Sequence, residues 1–261
     1  MRRYVGKVVF VAGGTSGINL GIAEAFAGEG AKVAVLSRRQ DNVETSVARL
    51  RTIGVDACGF AVDVRNYDGL SASLESTVAR WGPVDIVVSG AAGNFMSAAA
   101  DMSANAFKSV VDIDLLGTFN VLRAAWPHLR KPGAVALNIT AAQSWLPTPL
   151  QIHACAAKAG IDQVTRTLAL EWSGAGVRVN AIAPGPIANT EGMRRLAPTE
   201  AALQAWTDCV PLRRLGTRED INRAALWLCS DDASYITGVV LSVDGGMSLG
   251  GSSAIARAMS L

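Results

Sequence analysis

Short, continuously apolar, β-branched runs alternate with longer amphipathic segments along the whole chain, and few architectures accommodate that rhythm. Val8-Val9-Phe10-Val11 opens it, followed by a glycine-rich turn and a helical pattern from about Gly17 to Gly28. Strand-like runs recur at Lys32–Leu36, Ala57–Val62, Asp85–Val88, Ala134–Ile139, Val177–Ile182 and Val239–Val243. Helical patterns lie between them at Asn42–Ile53, Gly69–Trp81, Ala104–Leu129 (one long helix) and His153–Trp172. Strands that are apolar throughout are buried on both faces, and a strand–helix–strand order makes neighbouring strands parallel. The pattern predicts an α/β chain, a doubly wound parallel sheet with helices on both faces. No repeat, linker or low-complexity stretch interrupts it. Half of the 261 residues are hydrophobic, enough for one large core, so residues 1–261 read as a single domain.

Charge and composition exclude several functions. A net charge of +2 with no basic run argues against nucleic acid as a partner. No apolar stretch is long enough to span a bilayer, and Met1-Arg2-Arg3-Tyr4 leads into a strand rather than a secretory core, so no membrane role is expected. The 4 cysteines (Cys58, Cys155, Cys209, Cys229) are scattered, and His128 and His153 are the only histidines, so no metal site is expected. A nucleophilic pairing of Cys155 with His153 lacks an orienting third group.

The turn after the first strand carries Gly13-Gly14-Thr15-Ser16-Gly17-Ile18. Glycines there let the backbone approach a pyrophosphate, whose charge meets the amides and dipole of a helix N-terminus. The second strand ends Ser37-Arg38-Arg39, with no carboxylate before Asp41. An acidic residue at that end would accept from a ribose 2′-hydroxyl, whereas arginine suits a 2′-phosphate, so the expected cofactor is NADPH. Asp63 closes the third strand, either beside the adenine or as a helix cap.

Several motifs together resemble the short-chain dehydrogenase/reductase family along nearly the whole chain. They are Gly13-x-x-x-Gly17-Ile18, Ala91-Ala92-Gly93, Lys158, Asn180-Ala181-Ile182-Ala183-Pro184-Gly185, Ile236-Thr237-Gly238 and Val243-Asp244-Gly245-Gly246. The resemblance implies a seven-stranded Rossmann fold, a homotetramer, and further cofactor contacts from Val64, Ala91, Gly93, Lys158, Pro184, Gly185, Ile187 and Thr190. The third glycine of the family's turn is Asn19 here, which implies a helix start slightly farther from the phosphates.

The reductase triad of that family is largely missing. The positions of its Tyr, Ser and Asn hold Ala154, Ala141 and Asp114, and only Lys158 remains. None of the 3 tyrosines (Tyr4, Tyr67, Tyr235) precedes a lysine at the family's spacing. Ala91-Ala92-Gly93-Asn94-Phe95, Asn105-Ala106-Phe107-Lys108, Asp112-Ile113-Asp114, His153-Ala154 and Thr190-Glu191-Gly192-Met193-Arg194-Arg195-Leu196 resemble the 2,4-dienoyl-CoA reductases, closest to the peroxisomal type. Gln143 stands where the mitochondrial type has a tyrosine, and Ser89-Gly90 departs from the subgroup's Asn and small residue.

The subgroup's chemistry implies hydride delivery from NADPH to a conjugated dienoyl thioester, forming a 3-enoyl-CoA without any alcohol. Lys158 would hold the nicotinamide ribose, and Asp114 and Asp244 would position a water that protonates carbon. Asn94, with Phe95, would meet nicotinamide or acyl chain; for Phe95 core packing is the rival. Arg65 and Arg195 would meet phosphates of an acyl-CoA substrate, the rival being solvated loop charges. Ser103 and Asn105 match substrate contacts, the rival being an N-cap of the long helix. The segment at about 186–212, rich in Gly, Pro and arginine after a strand's carboxyl end, is expected to be a substrate lid, and 250–261 a mobile tail or oligomer contact. Two other functions compete: a short-chain carbonyl reductase with a recruited acid, and a non-catalytic NADP-binding scaffold. Arginine far exceeds lysine and Met259-Ser260-Leu261 makes a poor peroxisomal address, so a bacterial cytoplasm is expected, or a peroxisome if the source is eukaryotic.

Overall fold

The structure, a computed structural model, describes residues 2–250. Seven strands form one sheet in the order β3-β2-β1-β4-β5-β6-β7, every pair parallel. They are β1 (Val8–Ala12), β2 (Lys32–Ser37), β3 (Ala57–Ala61), β4 (Ile86–Ser89), β5 (Val135–Ile139), β6 (Arg178–Pro184) and β7 (Val240–Val243). The central strands β1, β4 and β5 are buried along their whole length, as continuous apolar runs require. Two apolar clusters cover the faces, one holding Phe26, Leu50 and Leu228, the other Phe10, Leu74 and Trp172.

The helices are α1 (Gly17–Gly28), α2 (Gln40–Thr52), α3 (Tyr67–Trp81), α4 (Ala104–Val111), α5 (Gly117–Ala125), α6 (Ile152–Ser173), α7 (Glu191–Leu196), α8 (Glu200–Cys209) and α9 (Arg218–Leu228). The single helix expected from Ala104 to Leu129 is instead α4 and α5 joined by a π-helical turn at Asp112–Leu116, ending in a 3-10 turn at Trp126–His128 around Pro127. A π-turn inserts an extra residue into the helical circuit, and such turns concentrate at functional sites. Helix α9 is an addition to the sequence reading. It begins with a reciprocal cap between Thr217 and Asp220 and packs against α1, where a Cβ on Gly21 would stand 3.0 Å from Asn222.

Strand order reverses between β1 and β4. Their carboxyl ends therefore part and leave the crevice in which open α/β sheets bind ligands. The segment after β6 contains α7 and α8 and is pinned at its base, where Gly216 N donates to Pro186 O (2.9 Å) and Ala188 N to Gly216 O (2.8 Å). The tail expected at 250–261 lies, beyond Gly250, outside the described residues.

Candidate active site

A cleft of about 540 Å³ opens over the carboxyl ends of β1, β4, β5 and β6. Every residue expected to hold the cofactor lines it: Gly13, Thr15, Ser16, Gly17 and Ile18 from the first turn, Ser37, Arg38, Arg39, Asp63 and Val64 from the ends of β2 and β3, and Ala91, Gly93, Lys158, Pro184, Gly185, Ile187 and Thr190 from the far side. Gly13 has φ +76°, and a Cβ there would come within 2.8 Å of Ala91. Gly17, at φ +55°, faces open space at the start of α1. A backbone bared this way beside a helix N-terminus suits a pyrophosphate. Arg38 and Arg39 have no ion-pair partner among the described residues, which leaves two guanidinium groups at the β2 end for a phosphate.

The π-turn shapes the other end of the cleft. Asp114 is its only buried residue, turned inward to accept from Gly93 N (2.7 Å, Oδ1) and to pair with Lys158 Nζ (3.1 Å, Oδ2). Lys158 rises from α6 and also reaches Ile139 O (3.4 Å). A carboxylate this deep in the protein is stable only when paired and hydrogen-bonded, and both conditions hold. Ala141 and Ala154 line the same wall, so no hydroxyl stands where a ketone reductase keeps its acid. The tyrosines are elsewhere: Tyr4 donates to Leu226 O, Tyr67 accepts from Arg123, and Tyr235 is fully exposed.

Asn94 also lines the cleft and donates to Gln151 Oε1 (2.7 Å). Asp244 does not join this group. Its oxygens accept from Gly246 N (2.9 Å) and Ser248 N (2.9 Å), shaping the turn after β7. Burial there pushes its pKa up, yet those hydrogen bonds outweigh it and hold the carboxyl below its usual range. The turn matters to the cleft indirectly, because a Cβ on Gly185 would stand 2.6 Å from Asp244 Cα.

The residues expected to meet substrate lie outside the cleft wall. Arg65 spends its guanidinium on Asp63 (2.9 and 2.7 Å), which keeps the Asp63 carboxyl below its usual range and makes this loop self-paired rather than open to phosphate. Arg195 pairs with Glu191 on the exposed side of α7 (3.0 Å). Ser103 caps α4 by accepting from Ala106 N (3.1 Å), and Asn105 is exposed in that helix's first turn. Phe95 stacks on the buried ring of His153 at 4.2 Å between centroids. Burial pushes the His153 pKa down, against an opposing pull from Asp114. With His153 stacked and buried, and Cys155 reaching only Thr148 O (3.9 Å), a Cys–His nucleophile has no geometry.

Sequence reasoning gave no site role to Met193, Leu196 and Trp206, apolar lining residues from α7 and α8, nor to Gln151, which is buried. Asn19 donates to Gly90 O (2.6 Å), tying the cofactor turn to the end of β4.

Residues 12–248 match the family described as enoyl-(acyl carrier protein) reductase. The chain belongs to the short-chain dehydrogenase/reductase family. It is 41% identical over 252 residues to the peroxisomal 2,4-dienoyl-CoA reductase ((3E)-enoyl-CoA-producing) of Arabidopsis thaliana, covering 93% of this chain and 84% of that one. It is 39% identical over 243 residues to a Bacillus subtilis protein named "Probable 2,4-dienoyl-CoA reductase ((2E)-enoyl-CoA-producing)", covering 92% and 96%. The crystal structure of a short chain dehydrogenase from Bacillus anthracis superposes with a TM-score of 0.82 at 38% identity, covering 93% and 96%. This short-chain dehydrogenase/reductase is therefore an oxidoreductase with a Rossmann-type nicotinamide site. Among the described residues no helix is long and apolar enough to cross a membrane.

Proposed function

We propose that this short-chain dehydrogenase/reductase reduces 2,4-dienoyl-CoA thioesters with NADPH to 3-enoyl-CoA. One observation carries the reading: Ala141 and Ala154 stand where the hydroxyl pair is expected, beside a buried and intact Asp114–Lys158 pair. A ketone reductase must protonate an alkoxide oxygen through a group within hydrogen-bond reach. Reduction of a conjugated thioester ends with a proton on carbon, so a hydroxyl acid at residue 154 is dispensable. What it requires is a donor to the thioester oxygen, which gains charge, and an ordered water near the α-carbon.

When bound, NADPH supplies the hydride. The amides of the first turn of α1 would hold its pyrophosphate, and Arg38 and Arg39 would pair with its 2′-phosphate. Lys158 holds the nicotinamide ribose and places a cation beside the developing enolate. Asn94 donates to the thioester oxygen. Asp114, fixed by Gly93 N, orients Lys158 and the water that protonates carbon. A preorganised donor such as Asn94 lowers the barrier by roughly 3 kcal/mol. Asp244 acts through the shape of its turn. Met193, Leu196 and Trp206 of the lid exclude water over the acyl chain. The two named relatives differ in product; the proposal takes the 3-enoyl outcome, as the Arabidopsis relative is named. A homotetramer in a bacterial cytoplasm or a peroxisome completes the reading.

Purified protein with NADPH and trans-2,trans-4-hexadienoyl-CoA tests it, with acetoacetyl-CoA as the carbonyl control. The expected result is loss of dienoyl absorbance, a 3-enoyl product by chromatography, and no turnover in Lys158→Ala. Turnover of acetoacetyl-CoA alone would overturn the proposal in favour of carbonyl reduction, and a 2-enoyl product would overturn its regiochemistry.

A further inference from the structure

Three contacts in succession fasten the loop after β4 to the loop that enters α6. Asn94 Nδ2 donates to Gln151 Oε1 (2.7 Å), Phe95 stacks on His153 (4.2 Å), and Ser97 N donates to Leu150 O (3.0 Å). Leu150 is held at φ +66°, a left-handed conformation that a leucine keeps only where its surroundings over-determine it. Gln151 follows immediately and is buried. Its Oε1 faces a second amide as well, Gln143 Nε2 at 3.5 Å. Gln143 and Asn94 both line the cleft beside Asp114 and Ala154, whereas Gln151 does not.

A carbonyl oxygen has two lone pairs and a primary amide two N–H groups. One shared acceptor behind two amides therefore fixes the nitrogen end of each and leaves one N–H of each for another acceptor. Unconstrained, either amide could turn its oxygen toward a developing enolate and repel it. The Gln143 bond, at 3.5 Å, is the longer and weaker of the two. We propose that Gln151 is a positioning residue that holds the amides of Asn94 and Gln143 as a paired donor to the thioester oxygen. The inference rests on the dienoyl thioester reading above and adds Gln143 as a second catalytic donor.

The test uses Gln151→Met, which keeps length and loses the acceptor, Gln151→Glu, which keeps an acceptor, and Gln143→Met. Two readouts are taken: kcat and KM with hexadienoyl-CoA, and the ultraviolet enolate band of acetoacetyl-CoA bound to the protein with NADP+. Gln151→Met and Gln143→Met are each expected to lower kcat about tenfold or more, in line with loss of one oxyanion donor, with NADPH affinity unchanged. Both weaken the enolate band, and Gln151→Glu recovers part of it. In a Gln143→Met background, Gln151→Met should cost less than it does alone. Unchanged kcat and enolate band in Gln151→Met, with dienoyl reduction intact in the parent, would overturn the inference and spare the functional reading. A parent inert toward the dienoyl thioester, whose enolate band both variants erase, would keep the donor pair and discard that reading. Absence of the band in the parent would overturn the donor pair.

Discussion

The Asp114–Lys158 pair is where stability and chemistry can be separated by one series of substitutions. Asp114 is 1% exposed at its side chain and Lys158 11%, so neither charge is compensated by solvent if its partner is removed. Removing one member of such a pair costs about 3–5 kcal/mol, because the other is left buried and unpaired. Asp114→Ala also strips Gly93 N of its acceptor, and a charge-assisted bond of that kind contributes about 1.5–3 kcal/mol. The two losses overlap, so about 4 kcal/mol is expected for Asp114→Ala. Asp114→Asn keeps an oxygen for Gly93 and loses the ion pair, so it should fall at the low end of that range, about 3 kcal/mol below the parent. Urea unfolding, followed by tryptophan fluorescence, measures both. Dienoyl turnover in the same proteins should fall at least tenfold in Asp114→Asn, because the neutral amide no longer orients Lys158 and the water as an anion does. If both variants unfold within 1 kcal/mol of the parent, the pair is solvated and its description as a desolvated unit is wrong. If Asp114→Asn turns over at the parental rate, the carboxylate has no chemical part.

Other expectations follow from the same geometry. Arg38→Glu with Arg39→Glu should weaken NADPH binding by at least tenfold while leaving NADH binding within a few-fold, as fluorescence titration would show; equal losses for both cofactors would refute a 2′-phosphate role. Asp220 caps α9 through Thr217 and pairs with Arg214, whose guanidinium holds its carboxyl well below the usual carboxylate range. A depressed carboxylate stabilises the fold above its unfolded pKa and loses that contribution as pH falls. Asp220→Ala should therefore cost about 1 kcal/mol at neutral pH, and the gap from the parent should close below about pH 4 in acid titrations of stability. A gap that persists at low pH would count against the cap.

The sheet was legible because its signal is cumulative: continuous apolar runs at β1, β4 and β5 are incompatible with a half-exposed strand, and each repeats the same inference. Much of the cleft wall was legible because it comes as short contiguous stretches at strand ends, such as Thr15–Ile18, Ser37–Arg39 and Asp63–Val64. The break in the expected long helix was not, since a π-turn leaves apolar spacing nearly intact; only the costly carboxylate at 114 hinted at a local purpose. Helix α9 carried a readable Thr217-x-x-Asp220 start followed by Ile221, Ala225 and Leu228 at helical spacing, yet short length hid it behind the lid. The substrate-side residues Arg65, Arg195, Ser103 and Asn105 read ambiguously because a loop arginine or a helix-start serine looks the same whether it pairs locally or awaits a ligand. Here Arg65 and Arg195 pair locally, and Ser103 caps.

Two departures from the family pattern, Asn19 in place of a glycine and Gly90 beyond β4, are distant in sequence and are one packing solution. Asn19 Nδ2 donates to Gly90 O at 2.6 Å, and a Cβ on residue 90 would lie 2.3 Å from Asn19 Oδ1. An asparagine on α1 is therefore tolerated only opposite a glycine, and the glycine is required only opposite the asparagine. The extra bulk of Asn19 is directed toward β4 rather than into the turn of Ser16, Gly17 and Ile18, so this packing gives α1 no reason to stand back from that turn. Gly90→Ala alone should cost about 1–3 kcal/mol by overpacking and weaken cofactor binding, since the clash pushes on the cofactor turn. Asn19→Gly should be mild, losing one hydrogen bond to a half-buried carbonyl. Combined, Asn19→Gly and Gly90→Ala should be more stable than Gly90→Ala alone, a coupling of at least 1 kcal/mol in a double-mutant cycle read by urea unfolding. Strict additivity of the two substitutions would show that they are separate accidents of the sequence, and the helix would then have to accommodate Asn19 by moving.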